Sequence, residues 1–353
     1  MSNLPSGISL DSIFTNSTQI GSVENAAQRI FYGLDHRQMG LPVPQNKESQ
    51  PLLFFTRPQL NLTKENARAT RQFIPLLTTE SMSYQRAVRC LLDPRLHYNN
   101  NITSPMVDPL MAFIPILGNT VLSLSGWPGF NLESYTSRPG VYKEVFSMVD
   151  GISDFYGAYT LSANFRNIMG DPISFLFAVW CLYQQEVFKG TMMPYPDFIV
   201  RNEIEYNSCV WALVLDYTRT YVQKIARTGA MYPTGIDIAR SFDFTREGKA
   251  YSDATHEVSI QFQANGFCFN DPILIHEFNE VVEIFNPDMW DDNRAKSMKQ
   301  IPMSQLSLFN GQGYPRIDPV TSKLEWYVRK DIYLAKLNEY NTYYKTLHQG
   351  LTV

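Results

Sequence analysis

Charge is in short supply in this chain. Asp, Glu, Lys and Arg make up 18% of its 353 residues, against about 25% in ordinary soluble domains. Histidine is scarcer still: His36, His97, His256, His276 and His348 lie far apart, so a metal centre would need long-range assembly. The four cysteines, Cys90, Cys181, Cys209 and Cys268, are scattered without metal or redox spacing. Three of them sit in apolar runs and read as small core residues. No GxGxxG or GxxxxGK phosphate loop is present, and no G-x-S-x-G elbow. His276-Glu277-Phe278-Asn279-Glu280 opens like a zinc-protease helix but lacks the second histidine. Asp291-Asp292, beside Trp290, reads as an exposed turn. These absences predict a protein without a catalytic site, cofactor or metal. A glycosidase-type carboxylate pair stays open, because its spacing is spatial.

Long apolar runs are also missing. Phe175 to Tyr183 is the longest and is far too short to span a bilayer, so no membrane anchoring is expected. The start, MSNLPSGISL, has neither a basic region nor an apolar core and does not read as a signal peptide. Folding in a reducing cytosol follows as the expectation, and the sequons at Asn16, Asn61 and Asn101 then read as chance matches. Fixed-period repeats and low-complexity runs are absent too.

Aromatic side chains are plentiful: 20 Tyr, 22 Phe and 5 Trp. A surface poor in charge and rich in Tyr suits faces covered by partners; a large β protein with aromatic strands would show the same composition. Net charge is −4, with no basic footprint for nucleic acid. Between Asp271 and Asp292, Glu277, Glu280, Glu283, Asp288 and Asp291 occur without Lys or Arg. That stretch reads as a surface repelling DNA or as a solvated face.

The segment Tyr156 to Phe269 carries the clearest pattern. Tyr159, Leu161, Ala163 and Phe165 alternate with polar residues, the period of a half-buried strand. Gly170-Asp171-Pro172 starts a helix, with Asp171 as the expected cap and Pro172 at the first helical position. The helix runs from Pro172 to Lys189 and stops at Gly190. Val210 to Leu215 reads as a strand buried on both faces, turning near Asp216-Tyr217-Thr218 and returning over Tyr221 to Ile225. Gly229 to Gly235 reads as a turn passing close to other backbone. Val258, Ile260, Phe262 and Ala264 alternate again as a last strand.

Elsewhere the signals are weaker. Residues 1 to 50 read as an extended arm, with a short helix near Val23 to Tyr32. Leu52 to Leu62 is an edge or bulged strand interrupted by Pro58. Thr79 to Leu92 is helical, and Asp93 to Asp108 is loop. Phe113 to Leu124 reads as strand, Gly118-Asn119 turn, strand, and Phe130 to Tyr135 is extended after Trp127-Pro128-Gly129. Val141, Tyr142, Val145 and Phe146 precede a loop at Asp150-Gly151. Ile273 to Phe285 fits helix or strand. Asn286 to Arg316 reads as loop, and Tyr327 to Leu347 as a helix with a Tyr/Leu stripe, docked on its own core or on another chain.

This order of elements resembles the tail-tube fold of contractile-tailed bacteriophages, over Leu52 to Phe269. The matching parts are Leu124-Ser125-Gly126-Trp127-Pro128-Gly129, the strand Tyr159 to Phe165, the helix Pro172 to Lys189, Ala230-Met231-Tyr232-Pro233-Thr234, and the strand Glu257 to Ala264. The resemblance implies an α+β, mainly β fold: an antiparallel β-sandwich or barrel with one packed helix. The chain divides into an arm (1–50), a β domain (51–270, insertion about 63–110) and a C-terminal extension (271–353), of which the arm, insertion and extension are additions to a plain tube subunit. The resemblance further implies sixfold rings whose sheets continue from subunit to subunit. On that view Tyr142, Val145, Phe146, Tyr156, Leu213, Leu215, Tyr221 and Ile225 meet neighbours. Glu277, Glu280, Glu283 and Asp288 face a lumen through which phage DNA slides without sticking. The added segments suit a virion ring at the baseplate that initiates or extends the inner tube, assembled in the host cytoplasm. Its partners would be its own copies and other tube, baseplate or sheath proteins. The alternatives are a neck or terminator ring, the bulk tube, and a tail-associated β-sandwich hydrolase or glycan-binding module. An aromatic cleft with two facing carboxylates would favour the last.

Overall fold

A computed structural model describes residues 50–129, 131–153, 157–237, 257–309 and 312–350. The expected arm and Tyr156 lie outside these residues. Pro51–Val353 forms one compact unit. In chain order its elements are β1 (Gln50–Phe55), α1 (Lys64–Ala67), α2 (Tyr84–Leu92), α3 (Leu96–Asn100), α4 (Pro115–Thr120), β2 (Val121–Ser125), β3 (Asn131–Thr136), β4 (Ser147–Ser153) and β5 (Ala158–Arg166). There follow α5 (Pro172–Phe188), α6 (Pro196–Arg201), β6 (Val210–Leu215), β7 (Val222–Ile236), β8 (Glu257–Phe269), α7 (Ile273–Phe285), α8 (Asp291–Ser297), β9 (Met298–Gln300), β10 (Tyr314–Ile317), β11 (Leu324–Arg329) and α9 (Lys330–Gly350).

The fold is α+β and mainly β. Six strands form one sheet in the order β1-β6-β7-β8-β5-β2. Alternation along β5 and β8 decides which face is buried. Leu161 pairs opposite Phe262 and Ala163 opposite Ile260, and all four, with Phe165 and Ala264, are fully buried. Helix α5 packs on this face. Its Phe177 ring lies 5.5 Å from Phe165 and 5.6 Å from Phe262, and Phe55 of β1 joins at 5.6 Å from Phe165. Such aromatic packing adds about 0.5–1.5 kcal/mol per pair beyond burial. Trp180 is buried beside them and satisfies its indole N–H on the Tyr206 carbonyl at 2.9 Å.

The opposite face divides in two. At the β1–β6 end, Trp211, Leu213, Leu215 and Ile225 pack against Leu274, Phe278 and Val282 of α7 and against β10 and β11. This explains why β6 is apolar on both faces. Over β2, β5 and β8 the same face is a polar surface, uncharged except at one end, where Arg166 stands opposite Glu257. Asn164 Nδ2 donates to Ser123 Oγ at 3.0 Å, and Ser259 Oγ donates to Asn164 Oδ1 at 2.6 Å.

Several local expectations are overturned. Gly118-Asn119 lies inside α4, not in a turn; a Cβ on Gly118 would lie 2.9 Å from the Leu53 carbonyl oxygen, so the helix needs glycine to cross β1. Gly229–Gly235 lies within β7 and bulges only between Pro233 and Gly235. The close approach was read correctly: a Cβ on Gly229 would sit 2.2 Å from the Asn265 carbonyl oxygen. Asp171 is left-handed (φ 55°) with no side-chain cap; its carboxylate instead accepts from Asn167. Asp150-Gly151 belongs to β4, as a bulge opposite Glu133 and Ser134. The stretch Asn286 to Arg316 contains α8, β9 and β10, and Tyr327 is in β11, not in the final helix. Ile273 to Phe285 is helix, and within α9 Tyr333 stacks on Phe309 of the same chain at 5.5 Å.

A buried carboxyl ties the helical insertion to the rest. Asp93, 1% exposed, accepts from Leu62 N (2.8 Å), Arg95 N (3.1 Å) and the Tyr195 hydroxyl (2.9 Å). Burial outweighs those bonds and pushes it up to about 6, from 3.8. The folded chain therefore holds a proton that the unfolded chain releases between those pH values. This group's contribution is greatest below about pH 4 and declines as pH rises through 6, by about 3 kcal/mol in all. Asp93→Asn, which cannot ionise, should lose that slope. Urea melts at pH 4.5 and 7 check it: an unchanged difference between the two pH values in the variant sinks this assignment.

Candidate assembly interface

Strands β3 and β4 form a two-stranded sheet of their own. An isolated hairpin is at best marginal in water, and this one has little own-chain cover. Leu132, Tyr135, Met148 and Val149 are all exposed along it, and the connection between the strands exposes Val141 (94%), Tyr142 (91%), Val145 (52%) and Phe146 (65%). Glu144 accepts from Tyr142 N at 2.8 Å and its carbonyl from Gly140 N at 3.0 Å, so the tip is shaped by local bonds and not by a core. An apolar strip of this extent marks a contact surface.

Tyr142, Val145 and Phe146, expected to meet neighbours, are exposed at the tip, and Leu132, Tyr135, Val141, Met148 and Val149, outside that expected set, are exposed beside them. Apolar residues at adjacent positions Met148 and Val149 were the available signal, because one buried face cannot take both. The other expected contacts sit differently. Leu213, Leu215 and Ile225 are buried under α7 and already have own-chain neighbours. Tyr221 is 46% exposed and bridges Lys323. Of the acidic set, Glu280 is exposed, whereas Glu277, Glu283 and Asp288 are half-buried. Glu277 pairs with Arg227. Desolvation raises Glu283 above the usual carboxylate range, with Asp291 adding repulsion and Arg316 and Arg294 opposing it.

A second feature lies at the seam of the main sheet. The sheet curls until its terminal strands β1 and β2 approach. At one end the segment leading into α4 covers β1: Thr56 bridges Phe113, and Ile114 N donates to the Phe55 carbonyl at 2.8 Å. At the other end the strands part around a groove of about 500 Å³. Leu53, Phe54, Leu122, Leu124, Trp127 and Trp326 are among its walls, and no Asp, Glu, Lys or Arg lines it. The groove is aromatic but offers no facing carboxylates for glycoside chemistry. Among the described residues, no group of three or more His, Cys, Asp or Glu could hold a metal ion.

Residues 8–342 match the family described as "Putative phage tail tube protein". The chain belongs to this phage tail tube family. Its family role is that of a structural component of a phage tail. No curated protein matches it. Solved structures with partial likeness include the tube-terminating cap of an anti-feeding prophage, at 12% identity and TM-score 0.27, covering 45% of this chain and 82% of that one. The sheath/tube terminator of an extracellular contractile injection system in its extended state (PVC) aligns at 11% identity and TM-score 0.25, over 45% of this chain and 87% of that one. The sheath–tube complex of the same system aligns at 14% and 0.25, over 45% and 82%. Superpositions this loose carry no weight for the tail tube family member described here.

Proposed function

We propose that copies of this chain close into a ring, sixfold by family resemblance, that initiates or extends the inner tube of a contractile tail at the baseplate. The observation that carries this reading is the β3–β4 hairpin, an apolar two-stranded sheet that its own chain leaves exposed. Tyr142, Val145 and Phe146 are its contact residues. The open edges of β2 and of the hairpin support the same reading, since a heterologous contact that closes by rotation satisfies both partners' edges. The chain carries more than a tube repeat needs: the helical insertion and the elements after β8 suit a ring that grips unlike neighbours, such as sheath and baseplate proteins. DNA passage is compatible with the polar face of Ser123, Thr160, Asn164, Ser259 and Gln261, where the one described cation, Arg166, stands opposite Glu257 and leaves little net charge to hold phosphate.

The expected result of deleting the gene from its phage is particles with filled heads and assembled baseplates but no tube or sheath, visible by negative stain. Normal-length tails in the deletion would overturn the proposal. Tubes that form but fail to join heads would move the ring to the neck.

A further inference from the structure

The hairpin and the seam groove are complementary features of one chain, and we propose that the hairpin tip of one copy docks in the seam groove of the next. This inference rests on the ring reading and names its contact. Three observations support a second copy as the occupant. First, both surfaces are apolar: the tip presents Val141, Tyr142, Val145 and Phe146, and the groove presents Leu53, Leu122, Leu124 and Trp127 without a charged residue. A charged partner segment would be desolvated there without compensation. Second, both surfaces carry strand edges that need partners. Among the described strands, β2 pairs only with β5, and β3 and β4 only with each other, whereas the outer edge of β1 is already met by Ile114 and by Gly118 of α4. An entering strand would therefore gain main-chain hydrogen bonds as well as apolar burial, the logic of strand addition. Third, the hairpin does not fill its own groove: none of its residues lines the cavity. Trp127, on the groove wall, lies four residues before β3, so the hairpin starts near the groove without filling it.

Docking one copy's tip into the next copy's seam is heterologous, so each subunit donates once and receives once. The entering segment then lies along the open edge of β2.

The test uses full-length chains carrying Val141→Cys in one population and Leu122→Cys in the other. A disulfide needs Cα atoms within about 7 Å, so it reports docking directly. Under mild oxidation the mixture should yield a covalent dimer that neither population yields alone, since tip does not meet tip and groove does not meet groove. A parallel mixture pairs Phe146→Cys with Leu122→Cys, covering the other side of the tip. Rings that assemble normally, seen by sedimentation, with no cross-link in either mixture overturn the docking and leave the ring standing. Chains that stay monomeric throughout overturn both. Leu122→Asp, which puts a charge in the groove, should abolish assembly while the chain keeps its native circular dichroism; assembly unaffected by that charge also counts against docking.

Discussion

Tyr142→Asp combined with Phe146→Asp should abolish self-association while leaving the monomer folded. Both side chains are largely exposed, at 91% and 65%, so the unassembled chain loses almost no packing. Surface substitutions of this kind shift stability by within about 0.5 kcal/mol. In the proposed ring the same residues are covered. Burying a large apolar side chain is worth about 1.5–3 kcal/mol, and two together exceed about 3 kcal/mol. At about 1.4 kcal/mol per tenfold, association falls by two orders of magnitude or more, before the cost of burying carboxylates is added. Sedimentation velocity, with a urea melt of the same sample, separates the two effects. A double variant that assembles like the parent removes the hairpin from the interface. One that unfolds shows that the hairpin stabilises its own chain.

The largest loss of stability is expected at Arg57, a cation buried to 3% exposure. Its guanidinium donates to five carbonyls: Cys90, Leu91 (2.9 Å), Asp108 (3.3 Å), Pro109 (3.1 Å) and Met111 (3.0 Å). Two of these belong to the last turn of α2, whose final carbonyls have no partner within the helix and carry the negative end of its dipole. The others belong to the loop leading to the Phe113 bridge. Burial pulls Arg57 down to about 10, so it stays charged at neutral pH. Arg57→Met leaves the carbonyls buried without donors, a change that should cost about 3–5 kcal/mol. Arg57→Lys should recover only part of this, since a point charge cannot reach carbonyls on two segments. Equilibrium urea denaturation measures both. A loss below about 1 kcal/mol for Arg57→Met would show that water replaces the guanidinium.

Much of the fold could be read from local pattern. β5, β8 and α5 announce themselves because burial on one face repeats every second residue in a strand, and because Pro172 and Gly190 bound the helix. The hairpin was half legible: Tyr142 and Phe146 stand out in a polar stretch, but Leu132 and Met148 look like ordinary strand residues until no core is found beneath them. Leu213, Leu215 and Ile225 read as interface residues for the opposite reason. β6 is apolar on both faces and Ile225 pairs beside it with Leu213, and nothing nearby in sequence shows that α7, some fifty residues on from Ile225, covers them. Gly229 shows the limit most plainly. Its need for close approach is local, yet whether the backbone turns there or runs straight depends on Asn265 across the ladder.

Local pattern set the type of β5, β8 and α5, the inward faces of the two strands, the scarcity of chemistry-bearing residues and the family. Tertiary structure decided the strand order, the curl that opens a groove between β1 and β2, the burial of the β6–β7 residues and the exposure of the hairpin. The physical reason is the range of the interactions. Alternation and helix boundaries are set by neighbours along the chain, whereas a strand's edge partner and the cover on its second face come from segments far away, and only the folded chain brings them into contact.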